Sequence, residues 1–387
     1  MKKLIALTLA LMLLLCGCGA GKAAETTAPA ELPAQDTQPV ETAAPTTEPT
    51  TVPTEPEVYF NPLNGEILDA PFTGRIFANT VSNMQENLPH VGVTQADMLI
   101  ETFVNKNNII RCLALFTDIE SVEAIGSTRS TRPIFNQLAQ HYDLVLSHAG
   151  GSDQALEDAR NRGVENFNID AWEVASTGAS YRDTEYKRSY ENTLFGVGSG
   201  IKAYAESQGI PMTLERDYGF RFTEDGTPAN GEAADRIALT FTYGQAKKDT
   251  AMVYNAQEGK YVFNQYGKEM TDQITGETEM FRNVLILNAN ISTEGIYFVA
   301  DFNAGGTGYF ACGGKIIPIT WTCAGDKEGF QLFTADGEPL LLGQGNTYMA
   351  ICTPESPVTW EAAAPAETTP ETTVETIAET TAETTAG

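Results

Sequence analysis

The chain has 387 residues, enough for two domains of ordinary size, and its 24 lysines and arginines against 51 aspartates and glutamates leave a formal charge of -27. So acidic a surface repels nucleic-acid phosphates and anionic lipid headgroups, which excludes both as broad partners. An anion can be held only where the few cations are gathered.

At the N-terminus Lys2 and Lys3 precede the apolar run Leu4 to Leu15, which is short for a bilayer span and has the build of a secretory signal. The run ends in LCGC. Leu15 and Gly17 stand three and one positions before Cys18, the pattern of a bacterial lipoprotein signal in which a lipidated cysteine becomes the new N-terminus. Residues 1–18 are therefore expected to be a signal peptide. Lipid on Cys18 would hold the protein to the extracytoplasmic face of a bacterial membrane as an anchored, not a spanning, partner. Residues 19–57, nearly all Ala, Thr, Pro, Glu and Gln, have too little apolar surface to offset ordering and are expected to be a disordered linker. As a coil such a linker reaches about 35 Å. Residues 361–387, with their repeated ETT, are expected to be a second disordered tail.

The folded region begins near VYFNPLNGE, where Asn-Pro and Asn-Gly signal turns. MLIETFVN and IIRCLALF are short apolar runs that predict buried strands. IFNQLAQHY predicts a helix with Pro133 in its first turn, LVLSH a strand, and DQALEDARNR a helix capped by Ser152 and stopped by Gly163. A further helix is expected over GIKAYAESQG. From about residue 219 the texture changes to IALTFTY, AMVYNAQEGKYVFNQYG, NVLILNANI, GIYFVADFN, KIIPITWTC and TYMAICT, separated by glycines. These predict a mainly antiparallel β domain over 219–360, after an α/β domain over 58–218. The fold class is α+β.

The cations gather in GSTRSTRPIFNQLAQHYDLVLSHAGGS. The strand LVLSH passes through Gly150 and Gly151 into the helix capped by Ser152, and a helix start of this kind favours an anion. His148 ends the strand, placed to hydrogen-bond or to move a proton near neutral pH. Arg129 and Arg132 precede the neighbouring helix, where a guanidinium could grip a carboxylate or phosphate. Structural pairing with the chain's own carboxylates, Glu101 and Asp118 among them, is the competing reading, and both stay open. YRDTEYKRSYENTLF adds Arg182, Lys187 and Arg188 among acids, a pattern common on solvated faces.

Other chemistries find less support. Ser152 is committed to capping, and no GxSxG surrounds it. Cys312 lacks a well-placed histidine: His90 follows a proline in a loop, and His141 lies in a helix. His141 and His148 do not share a helix face for a metal. Cys112 reads as core. Cys312, Cys323 and Cys352 could pair outside the cytoplasm, but none has CxxC spacing and no disulfide is assumed. Trp172, Trp321 and Trp360 read as core residues rather than sugar platforms. No metal and no cofactor is expected.

NPLNG, VTQADMLIETFV, EAIGSTRSTRPIF, YDLVLSHAGGS and RDTEYKRSYENTLF, followed by GTGYFACGGKIIPITWT and DGEPLLLGQGNTYMAI, together resemble the YerB-like lipoproteins, a family of unknown function. The resemblance covers roughly residues 58 to 354. It implies a layered β-β-α sandwich for the N-terminal domain. It also implies that Glu101, Arg111, Arg129, Arg132, His148, Gly150, Gly151, Arg182, Arg188 and Asn192 fall on the family's polar positions; in the anion-binding reading Glu101 and Asn192 would hold the cations in place. Where the family has a His-Asn pair, this chain has Glu191-Asn192. The leading expectation is a lipoprotein that binds an anionic ligand or envelope fragment. An envelope interaction module and a hydrolase or transferase using His148 are the alternatives, and the reading leans away from an enzyme.

Overall fold

The computed structural model describes residues 58–185, 188–363 and Gly387, so the signal, Cys18, the linker and nearly all of the tail lie outside the described residues. Among the described residues no helix is long and apolar enough to cross a membrane.

The described chain is mainly β, with mixed sheets and few helices. The turn signals at its start act through side chains. Asn61 Oδ1 accepts from the Leu63 and Asn64 amides, and Asn64 donates to Asp97, whose other oxygen accepts from Thr117. The expected helices form at Pro133–Tyr142, Asp153–Arg162 and Gly198–Ser207. Ser152 accepts from the Ala155 amide, and Gly163 closes its helix at φ 67°, a backbone angle that favours glycine.

One sheet of 11 strands draws on both halves of the chain. Its central run is Lys315–Thr322, Gly306–Cys312, Asn283–Asn288, Thr347–Cys352, Met98–Phe103, Ile110–Phe116, Phe77–Ser82, Val145–His148 and Asn166–Asn168. A second sheet of six strands, built on Arg236–Tyr243, Ala246–Asn255 and Lys260–Gln265, is antiparallel throughout. Its edge strand Val358–Glu361 runs one residue past the expected end of the folded region.

The second half is less uniformly antiparallel than its texture predicts. Thr347–Cys352 pairs in parallel with Asn283–Asn288 on one side and with Met98–Phe103 on the other. Both Thr347–Cys352 and Met98–Phe103 are buried at every position, as suits strands covered on two faces.

Alternation along these strands sorts their side chains into two cores. Leu99, Phe103, Ile110, Cys112 and Ala114 cluster with Leu239, Phe241, Met252 and Phe263 of the smaller sheet. Met98, Ile100, Leu113 and Leu115 cluster with Ile134, Phe135, Leu138 and Tyr142 of the helix Pro133–Tyr142. All four cysteines of the described region are buried free thiols. Trp321 is core as expected, but Trp172 is not: it is 82% exposed.

Candidate functional site

The period of two decides which expected site residues can meet. Glu101 lies opposite Cys112 and Thr102 opposite Arg111 in the antiparallel pair. Glu101 thus shares the face of Leu99 and Phe103, toward the smaller sheet, whereas Arg111 shares the face of Leu113, toward the helix. The expectation that Glu101 holds the arginines is therefore corrected. Glu101 instead pairs with Lys248 in full burial, with side-chain exposures of 0% and 5%. Asn83 (2.6 Å), Thr250 (3.2 Å) and Tyr348 donate to the same carboxylate. Nothing in the sequence around Lys248, an alternating strand edge in texture, marked it as Glu101's partner.

Arg111, Arg129 and Arg132 do come together. Arg111 is buried and donates to the Ser130 carbonyl at 2.6 Å. Burial first, then Arg132 and Arg129, hold its pKa well below the ordinary guanidinium value. Arg129 donates to the Glu191 carbonyl and to Asn192 Oδ1 at 2.7 Å, so Asn192 does position a cation. Burial lowers the Arg129 pKa, Glu191 and Glu86 oppose that, and Arg182 adds to it. Arg132 donates to the Thr131 carbonyl at 2.6 Å, and its guanidinium lies 5.1 Å from the centre of the Tyr297 ring. Burial lowers its pKa most, and its buried Nε has no hydrogen-bond partner. Among the described residues, none of the three has a carboxylate within ion-pair distance. In so acidic a chain that is unexpected, and it goes against the pairing alternative for Arg129 and Arg132.

The remaining expected residues divide. Arg182 grips Asp170 through two bonds of 2.7 Å and lies over the Tyr190 ring at 4.1 Å. Asn168 Oδ1 accepts from the Gly150 amide (2.8 Å) and the Asp170 amide (3.1 Å), which fastens the glycine loop to the Arg182 corner. Thr131 in turn donates its amide to the Gly150 carbonyl. Arg188 donates elsewhere, to the Pro89 carbonyl at 3.1 Å and to Gln273.

His148 is turned inward, 1% exposed, with Nδ1 2.8 Å from the Gly150 carbonyl and Nε2 3.0 Å from Asn166 Oδ1. Burial lowers its pKa against those two hydrogen bonds. With both ring nitrogens occupied it shapes the loop, and the expectation that it faces a ligand or shuttles a proton is corrected. Gly150 takes φ 65° with nothing within 4 Å of the place a side chain would occupy. Gly151 has Leu156 at 2.9 Å from that place.

The nucleophile candidates are equally quiet. Cys323 Sγ is 3.3 Å from His141 Nδ1, but burial pushes the Cys323 thiol up and the His141 imidazole down, which disfavours a thiolate–imidazolium pair. Burial likewise raises Cys312. No group of three or more metal-ligating side chains occurs among the described residues.

Residues 63–211 match the model described as the N-terminal domain of a protein of unknown function, DUF3048, and residues 239–349 match its C-terminal domain. The chain is 25% identical over 305 residues to the lipoprotein YerB of Bacillus subtilis (strain 168), covering 75% of this chain and 88% of that one. The crystal structure of the Bacillus subtilis YerB protein matches with a TM-score of 0.63 at 21% identity, over 78% of this chain and 99% of the other, a likeness of fold. Matched by both of its domain models in order, the chain belongs to the DUF3048 family, the YerB-like proteins of unknown function.

Proposed function

We propose that the protein is a lipoprotein that captures an anionic ligand at Arg111, Arg129 and Arg132. One observation carries this reading: three arginines repel one another, two of them half-buried, with no carboxylate in ion-pair contact among the described residues. Burying like charges together costs free energy unless a counter-charge offsets it; Glu191 and Glu86 act on Arg129 only from beyond ion-pair distance, and a ligand anion would supply the close counter-charge. Arg111 and Arg129 are held by carbonyl and amide oxygens that leave other guanidinium donors for a carboxylate or phosphate.

Cys18 would carry the lipid, in keeping with the lipoprotein relative, and would hold the body outside the membrane. The reading keeps the division into an α/β N-terminal domain over 58–218 and a β-rich C-terminal domain over 219–360. It also takes the two cores as a β-β-α layering. The inward-turned His148 gives the hydrolase alternative no proton carrier.

The test is a thermal-shift and calorimetric screen of the full chain in detergent against phosphate, citrate and small carboxylates. An anion should stabilise the parent and not the Arg129→Ala/Arg132→Ala variant. Equal stabilisation of both would remove the proposal.

A further inference from the structure

Exposed aromatic rings flank the Arg182 corner, which Arg129 reaches through Asn192. Trp172 and Tyr190 are 82% and 68% exposed, and no other tryptophan of the described residues is among the exposed large apolar side chains. Aromatic rings are seldom left this bare without a partner, since each withholds a large apolar surface from water only when something covers it.

Tyr190 touches the cations directly, and Trp172 follows the Asp170 turn that Arg182 grips. Tyr190 lies under the Arg182 guanidinium, and its carbonyl accepts from Arg182 at 2.7 Å. Arg182 grips Asp170, two residues before Trp172. Tyr181 stacks on Phe195 with ring centres 5.6 Å apart. Arg129 reaches the same corner through Asn192, two residues beyond Tyr190, and lies close enough to Arg182 to be repelled by it. The Asn168 side chain joins the Gly150 loop to the Asp170 turn.

We infer that this face binds a glycan bearing isolated carboxylates, the pyranose faces stacking on Trp172 and Tyr190 while a carboxylate is gripped by Arg129 and Arg132. The inference rests on the anion-binding reading and adds the class of ligand. Sugar rings offer flat C–H faces that suit exposed indole and phenol rings, and hydroxyls that can stay in water. The charge of -27 argues against a polyanion as the occupant. Occasional carboxylates let the local arginines win over the long-range repulsion, which salt screens beyond about 10 Å.

The probes are a matched pair: the disaccharide of N-acetylglucosamine and N-acetylmuramic acid, and N,N′-diacetylchitobiose, which has the same rings and acetamido groups without the lactyl carboxylate. Calorimetry on the full chain in detergent should show binding of the first and at least tenfold weaker binding of the second. Trp172→Ala and Tyr190→Ala should each weaken the acidic disaccharide about tenfold while leaving citrate or phosphate binding unchanged. Arg129→Ala/Arg132→Ala should abolish both. Circular dichroism and melting temperature of each variant check that it is folded, and both rings are exposed enough for truncation to leave the core intact.

If small anions bind in an arginine-dependent way but the two disaccharides do not differ, or Trp172→Ala has no effect, the glycan inference falls and the anion-binding reading stands. If nothing anionic binds, both fall. Tighter binding of an acidic peptide or of oligothymidylate than of the disaccharide overturns the glycan assignment in favour of that class.

Discussion

Lys248→Met isolates the buried ion pair that the sequence did not reveal. Glu101 is fully buried, and Lys248, at 5% side-chain exposure, is its only cationic partner within ion-pair distance among the described residues. Removing the ammonium leaves a carboxylate with Asn83, Thr250 and Tyr348 as donors but no counter-charge. Breaking a buried pair from one side typically costs about 3–5 kcal/mol. With an unfolding entropy of about 2.1 cal/mol/K per residue over about 300 residues, that corresponds to a fall of about 5–8 °C in melting temperature. Equilibrium urea unfolding of the parent, Lys248→Met, Glu101→Gln and the double variant closes the cycle. The double variant should be at least about 2 kcal/mol more stable than the sum of the single losses, because it removes the uncompensated charge. A loss below about 1 kcal/mol in Lys248→Met, or simple additivity, would refute the reading that Lys248 neutralises the buried Glu101 carboxylate.

Other expectations follow from single positions. The lowered pKa of His148 means that the folded state binds fewer protons than the unfolded one below the ordinary histidine value near 6.5. Its contribution to stability is complete above that value and is lost as pH falls through the window beneath it. His148→Gln should therefore flatten the stability–pH curve below the ordinary histidine value near 6.5, and an unchanged slope refutes the assignment. Gly150→Ala should cost about 1–2 kcal/mol from backbone strain alone, since the space beside it is open. Gly198→Ala should do far worse, because its added carbon would lie 1.9 Å from the Ile119 carbonyl oxygen; equal melting temperatures for these two variants would contradict the packing. Ser152→Ala should cost about 1 kcal/mol by removing the cap on the Ala155 amide, and Ser152→Asp should restore most of it.

Local signals were readable along the chain. Pro133, Ser152 and Gly163 marked helix ends because their effects act within one turn, and the structure places each where those effects require. The apolar runs MLIETFVN and IIRCLALF became strands buried on both faces because an uninterrupted apolar run has no solvent face to offer. The clustering of Arg129, Arg132 and Gly150 was also legible, since a helix and a strand of modest length return the chain to the same edge.

Pairings between distant segments were not. Whether Glu101 faces Arg111 or Lys248 depends on strand register and on which sheet covers which face, and a shift of one residue reverses both. Trp172 read as core because an indole is ordinarily buried, yet the short turn after Asp170 presents it to solvent beside Arg182. His148 read as a proton carrier because its strand ends at a glycine loop; the Gly150 carbonyl on Nδ1 is a local contact, but pairing with the strand Asn166–Asn168 brought Asn166 onto Nε2. Sequence by itself determined the elements, their caps and the neighbourhood of the cations, all of which depend on interactions within a few residues. Tertiary structure decided which charges are neutralised and which are left without a carboxylate partner, because that depends on which segments, 63 or 147 residues apart, are packed within a few ångströms of one another.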